Sequence, residues 1–115
     1  TSFIPDMTSL VQRYPESRKY VDYLLCATLA EKDAESFLRI FSQYGPYAYK
    51  NGIPVPRLYQ EALVLIASQN PDVLKRFNVE KEIWNCFVDF TDLMQKGRSS
   101  EAKRKYAETY WAYVY

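Results

Sequence analysis

Apolar positions recur along the chain at intervals of three and four residues, which is the period of amphipathic helices packed on one another. The clearest stretch carries this spacing on Ile83, Trp84, Phe87, Val88, Phe90 and Met94. No segment alternates apolar and polar residues over the length of a strand. The pattern therefore predicts an all-α fold of antiparallel helical hairpins, with about five main helices.

Residue types that begin and end helices divide the first half of the chain. A short N-terminal cap segment is expected over residues 1–15. The first long helix is expected over 16–30, and the second begins after Asp33 and ends at the Gly45-Pro46 pair. Because the connection is short, the two helices must run antiparallel, so residues 16–46 form the first hairpin.

The residue pattern of the second half of the chain predicts two further parts. Residues 47–78 form a degenerate middle unit, with an irregular loop, a helix over 56–68 and a short helical stub. Residues 79–115 form the second hairpin, with the longest helix over 79–95 and one continuous last helix over 101–115. We expect a single helical domain over 1–115, and the missing initiator Met indicates a fragment of a larger chain or a processed one.

Composition and charge narrow the function classes. The 15 basic and 14 acidic residues nearly cancel, whereas nucleic-acid binders usually carry a strong basic excess. No apolar run approaches the roughly 20 residues of a membrane span, and the N-terminus does not resemble a signal peptide. We expect no nucleic-acid partner and no direct membrane insertion by this segment.

Catalytic and metal-binding constellations are not expected. The chain has no His, so neither a Cys–His nucleophile nor a His-based proton relay can form. Cys26 and Cys86 fall among apolar residues of predicted helices, which favours two buried thiols over a disulfide. Asp89 and Asp92 lie one helical turn apart, but on the predicted solvent side. We expect no enzyme, no cofactor and no metal.

Helix pairs of this size are similar to tetratricopeptide repeats, which have a period of about 34 residues. Ala34, Leu38, Phe41 and Pro46 fall at the spacing of the repeat's second helix, and Trp84 opens a second match. The resemblance implies a divergent right-handed array of helical hairpins.

The layout also resembles the C-terminal part of a Bacteroidetes family of large membrane proteins of unassigned function. The segments that carry this resemblance are Tyr14-Pro15-Glu16-Ser17, Tyr44-Gly45-Pro46, Tyr59-Gln60-Glu61-Ala62 and Thr109-Tyr110-Trp111. It implies that the parent chain is membrane-embedded in its N-terminal half and that this segment is a soluble helical region, with the extracytoplasmic side favoured. It carries no catalytic motif.

Two aromatic segments are the candidate contact sites, and each has a structural alternative. The loop from Tyr44 to Tyr59 is rich in Tyr, Pro and basic residues, which suits recognition of a peptide or glycan. It is equally well explained as a connector whose tyrosines cover the core. Near the C-terminus, Tyr106 and Tyr110 have the spacing of packing residues, whereas others are harder to place inside. The candidate partner-binding residues are Tyr47, Tyr49, Lys50, Arg57, Tyr113 and Tyr115.

A cluster of basic residues follows the longest predicted helix. Its members are Lys96, Arg98, Lys103, Arg104 and Lys105. We interpret the cluster as a solvated face, since cations also favour a helix C-terminus.

The leading hypothesis is a non-catalytic helical-repeat module that mediates protein or peptide interaction. The alternatives are a glycan-binding module that uses exposed tyrosines, or a purely structural or self-associating spacer domain.

Overall fold

The computed structural model describes residues 3–115, with side chains from residue 7 onward. Within that part the chain forms eight helices and no strand, so the predicted all-α class is confirmed. The helices are α1 (Phe3–Arg13), α2 (Arg18–Ala30), α3 (Ala34–Ala48), α4 (Arg57–Ala67), α5 (Val73–Arg76), α6 (Lys81–Gln95), α7 (Ser99–Lys105) and α8 (Tyr110–Val114). They group into two compact units, a first unit over 1–54 and a second unit over 55–115.

In the first unit, α2 packs against both α1 and α3. Apolar side chains from all three helices are buried, and the Phe37 and Phe41 rings stack with centroids 5.6 Å apart. The predicted cap at Asp33 is confirmed, because its carboxylate accepts the Ser36 N–H at 3.0 Å. Ser17 caps α2 in the same way through the Tyr20 N–H. Local capping and an apolar face together define this part of the fold.

The predicted end of α3 at Gly45-Pro46 is wrong, since the helix runs to Ala48 with Pro46 inside it. Proline removes one backbone donor and normally breaks a helix. Here Pro46 is exposed, while Ala48 beyond it is buried. The next residue, Tyr49, donates its hydroxyl to the Asp22 carboxylate. Burial of the last turn and this side-chain bond offset the lost donor.

In the second unit, α4 packs against α5, α6 and α8, and α7 packs against α6. The core cluster of this unit consists of Val64, Ile83, Phe87, Phe90, Leu93, Ala102 and Trp111. Helix α6, which was predicted to be the longest, begins at Lys81, two residues later than predicted, and has 15 residues, as does α3. The Glu80 N–H there is taken by the Gln60 side-chain oxygen at 2.9 Å. Four of the seven core residues come from α6, as its apolar spacing predicted.

The predicted continuous last helix over 101–115 is wrong. Helix α7 ends at Lys105, and a turn over residues 106–109 leads to α8. The Thr109 side chain accepts the Ala112 N–H at 3.3 Å and so caps a new helix. After this break Trp111 is fully buried. A Thr cap and the burial of an indole override the helical pattern here.

Both cysteines are free thiols, as expected, but the expectation that they are buried is wrong. Cys26 is exposed on α2, and Cys86 is half-buried on α6. The α2 residues that face the core are Val21, Leu24, Leu25, Thr28 and Leu29, which leaves position 26 on the opposite side of the helix. An apolar neighbourhood in sequence therefore did not imply burial.

The cap at Asp33 should stabilise the fold in a pH-dependent way. Hydrogen bonds from the Ser36 hydroxyl and N–H lower the pKa of Asp33 below its ordinary value. The stabilisation is present above the unfolded-state pKa of about 3.9 and is lost as the pH falls through the lower folded-state pKa. Asp33→Ala should reduce the free energy of unfolding by about 0.5–2 kcal/mol at neutral pH, measured by urea denaturation.

Asp33→Asn is the matched control, since it keeps the capping oxygen but cannot titrate. The difference between its free energy of unfolding and that of wild type should shrink as the pH falls from 6 to about 3. A difference that stays constant over this range would contradict a charged cap.

Candidate functional site

The centre of the second unit is a buried carboxylate, that of Glu61 on α4. Glu61 is only 3% exposed. One carboxylate oxygen accepts the Tyr110 backbone N–H at 2.9 Å, and the other accepts the Arg57 Nε–H at 2.9 Å. Its backbone carbonyl accepts the Trp111 indole N–H, also at 2.9 Å. One residue therefore attaches the start of α8 to the middle of α4.

This arrangement follows from spacing and from the cost of burying charge. Arg57 and Glu61 are four residues apart on α4, so their side chains lie on the same face. A buried carboxylate is tolerated only when it is paired and hydrogen-bonded, and both of its oxygens are occupied here. The bond to Glu61 also raises the pKa of Arg57 above its usual value. Glu82 on α6 approaches the same guanidinium at 3.6 Å.

A solvent-open hollow of about 590 Å³ lies above this pair. Its lining comes from α4, from the end of α7 and from the turn before α8. The lining residues are Arg57, Glu61, Arg104, Lys105, Tyr106, Ala107, Glu108 and Thr109. The wall is polar and carries both charge signs.

Asp89 on α6 fixes one wall of the hollow. Its carboxylate accepts Lys105 Nζ at 2.8 Å and the Tyr106 hydroxyl at 2.5 Å. These bonds, Lys105 first, lower the pKa of Asp89. Burial, followed by the bond to Asp89, raises the pKa of Tyr106. Lys105 and Tyr106 are thus held in place by α6.

Of the loop residues predicted to bind a partner, only Tyr47 projects without a bond to a neighbouring side chain, with 52% of its surface exposed. Tyr49 is half-buried and donates to Asp22, and Lys50 forms an ion pair with Glu16 at 2.9 Å. Arg57 belongs to the second unit and holds Glu61. Three of these four side chains thus have structural contacts of their own.

The two predicted C-terminal residues are each about half exposed, as Tyr47 is. Tyr113 is 53% exposed and Tyr115 is 49% exposed. Their rings also contact the protein, Tyr113 against Tyr110 at 5.9 Å and Tyr115 against Phe90 at 5.7 Å. Lys103 Nζ donates to the Tyr115 carbonyl at 2.7 Å. Each ring is therefore supported on one side and open to solvent on the other.

The carboxylates at 89 and 92 do not form an acid pair. Asp89 bonds Lys105 and Tyr106, whereas Asp92 pairs with Lys96 at 2.9 Å. Across residues 3–115, no group of three His, Cys, Asp or Glu side chains comes together that could hold a metal ion. No helix in the same range is long and apolar enough to cross a bilayer.

Sequence reasoning missed two features of this unit. One is the buried role of Glu61, which is signalled only by an Arg four residues earlier and by the apolar residues around it. The other is a smaller hollow of about 270 Å³, lined by Leu74, Phe77, Asn78, Val79 and Trp84. It depends on the extended backbone between α5 and α6, where a longer helix was predicted.

Removing the Glu61 carboxylate should destabilise the second unit. Glu61→Leu leaves the buried Tyr110 N–H without an acceptor and half-exposed Arg57 with Glu82 as its remaining partner, and it should reduce the free energy of unfolding by about 1–3 kcal/mol. Glu61→Gln keeps one oxygen acceptor and should cost less, about 0.5–1.5 kcal/mol. Urea denaturation measures both. Glu82→Gln, at an exposed carboxylate near the same Arg, should stay within about 0.5 kcal/mol of wild type. Equal effects at positions 61 and 82 would contradict the assigned role.

Comparison with known proteins places the chain in a family. No curated protein and no solved structure matches it. The model of one family, described as a family of unknown function (DUF6057), matches residues 3–115. That range takes in every helix of both units. The chain therefore belongs to the DUF6057 family.

Proposed function

We propose that this chain is a non-catalytic helical module that binds a protein or peptide partner through half-exposed tyrosines. The observation that carries the proposal is the state of Tyr113 and Tyr115. About half of each side chain is open to solvent, while the ring is supported by Tyr110 or Phe90. Tyr47 adds a third ring of similar exposure in the first unit.

Supported tyrosines make effective anchors for physical reasons. A ring that is already held by a neighbour loses little side-chain entropy when a partner covers it. Its apolar face adds buried area, and its hydroxyl adds a directed hydrogen bond. Tyr is accordingly enriched among the residues that dominate binding energy at interfaces. Lys50 and Arg57 would orient a partner at the edges of their respective units.

We also propose that the helices form a divergent tetratricopeptide-like array. Helices α2 and α3 pack on each other across a three-residue connection, as a helical hairpin of a tetratricopeptide-like array would. Helix α7 has seven residues and α5 has four, so any such array is strongly divergent. We also propose, on the resemblance alone, that the parent is a large Bacteroidetes membrane protein that presents this segment as a helical region.

Glycan binding is the second candidate, because the same open ring faces can stack on sugars. It requires Tyr113 or Tyr115 to act as a flat platform, without a groove for a helix or strand. A purely structural or self-associating spacer is the third reading. It requires that no soluble partner depends on any of these rings.

Affinity capture from a lysate of the source organism tests the proposal. Wild type is compared with a variant that combines Tyr47→Ala, Tyr113→Ala and Tyr115→Ala, with quantitative mass spectrometry as the readout. The expected result is at least one protein whose capture falls about tenfold or more in the variant, as loss of anchor residues at an interface predicts.

The matched control is Tyr23→Ala, at a tyrosine with 50% exposure that is not among the candidates. It should leave capture of the same protein unchanged. Equal capture by wild type and the triple variant would contradict the tyrosine anchors. Selective binding to a glycan array that is lost in Tyr113→Ala would instead favour the glycan reading.

A further inference from the structure

The smaller hollow of the second unit has an apolar lining that is left partly uncovered. Trp84 and Val79 pack their inner sides on the core cluster and stay half-buried. Leu74 on α5 is 38% exposed, and Phe77 is half-buried. With a volume of about 270 Å³, the hollow falls below the range typical of drug-sized ligands. It matches one or two large apolar side chains of a partner.

The backbone beside the hollow is extended and carries N–H groups without a hydrogen-bond acceptor among the described residues. Phe77 lies in the β region, with φ of −132° and ψ of 138°. The backbone N–H groups of Asn78 and Val79 take part in no hydrogen bond within residues 3–115, and neither does the Asn78 side chain. Backbone donors need a partner, which is water in the free protein. An extended peptide can supply carbonyl oxygens in place of that water.

Two cations near the hollow have no carboxylate partner in the part of the chain that the structure describes. Asp72 pairs with Lys75 at 3.2 Å, and the Glu80 carboxylate accepts the neutral Gln60 amide at 3.2 Å. Arg76 stacks over the Phe77 ring at 5.5 Å. Neither Arg76 nor Lys81 has a carboxylate partner within the described residues. A partner that supplies carboxylates would complement these two cations.

We infer that this hollow, with Leu74, Trp84 and Arg76 around it, is a docking site for an extended acidic peptide segment of a partner protein. One bulky apolar side chain of the segment fills the hollow between Leu74 and Trp84. An Asp or Glu close to it in sequence pairs with Arg76, and a carbonyl oxygen of the segment accepts one of the N–H groups at 78 and 79, since neighbouring N–H groups of an extended chain point to opposite sides. The inference rests on the proposed function, since it names a partner class for an interaction module.

The structure favours a peptide over the other occupants of an apolar face. A lipid surface would complement the cations, but it does not present the peptide carbonyl oxygens that an extended segment would supply to a backbone N–H. A second copy of the chain would bury this face in a symmetric contact, in which Arg76 would have to approach its own equivalent or find an acid on the partner. The unpaired backbone donors are the observation that separates these cases.

The test selects peptides directly. Random peptides of about 12 residues, displayed on phage, are selected against the whole 115-residue chain. The selected sequences should share a bulky apolar residue next to Asp or Glu. A labelled synthetic copy of the strongest sequence is then titrated by fluorescence polarisation. Leu74→Glu and Arg76→Glu should each weaken its binding about tenfold or more.

Two matched controls make the loss specific. Leu10→Glu alters a leucine with 36% exposure in the first unit. Arg18→Glu reverses an exposed Arg at the start of α2, where a negative charge is tolerated. Both should leave the affinity within about twofold of wild type. Circular dichroism shows whether each variant is folded. If Leu74→Glu does not fold, Arg76→Glu still tests the site, because Arg76 is exposed.

The remaining outcomes overturn the inference in distinguishable ways. Peptides that bind through Tyr113 and Tyr115 but tolerate Leu74→Glu would leave the proposed function intact and remove this site. Selection of sequences without acidic residues would remove the acidic partner. Sedimentation of the chain with anionic phosphatidylserine vesicles that is lost in Leu74→Glu would assign the face to lipid. A dimer in analytical ultracentrifugation that is lost in Leu74→Glu would assign the face to a second copy of the chain.

Discussion

The buried carboxylate of Glu61 is the interaction on which the second unit depends. Its two oxygens hold Arg57 and the first N–H of α8, and its backbone carbonyl holds the Trp111 indole. A charge at this depth is stable only with all of these partners present. The start of α8 must therefore stay where it is, with Trp111 against Phe87 and Phe90 in the core.

This constraint shapes the surface as well as the core. Because α8 must reach Glu61, the chain leaves the helical path after Lys105 and turns through residues 106–109. That turn forms one wall of the larger hollow, which Asp89 steadies from α6. It also directs Tyr113 and Tyr115 so that each ring rests on a neighbour and faces solvent. The candidate contact surface is thus a consequence of a core interaction.

Membership of the DUF6057 family covers the whole helical architecture but assigns no activity. The two candidate surfaces of the second unit differ in chemistry. The tyrosines around α8 offer amphipathic rings, whereas the hollow between α5 and α6 offers an apolar socket beside Arg76 and unpaired backbone donors. Both suit a protein ligand, and they make different demands on its sequence.

The helical class, the helix-forming face of α6 and the cap at Asp33 could be read from the amino-acid sequence, because periodicity and capping are local. The end of α3, the break before α8 and the exposure of Cys26 could not. Each depends on a contact distant in sequence or on which side of a helix meets the core. The bond from Tyr49 to Asp22 and the burial of Trp111 are examples. Neighbours along the chain determined where helices form, and tertiary contacts decided where they stop and which rings stay exposed, since a buried charge or indole outweighs local propensity.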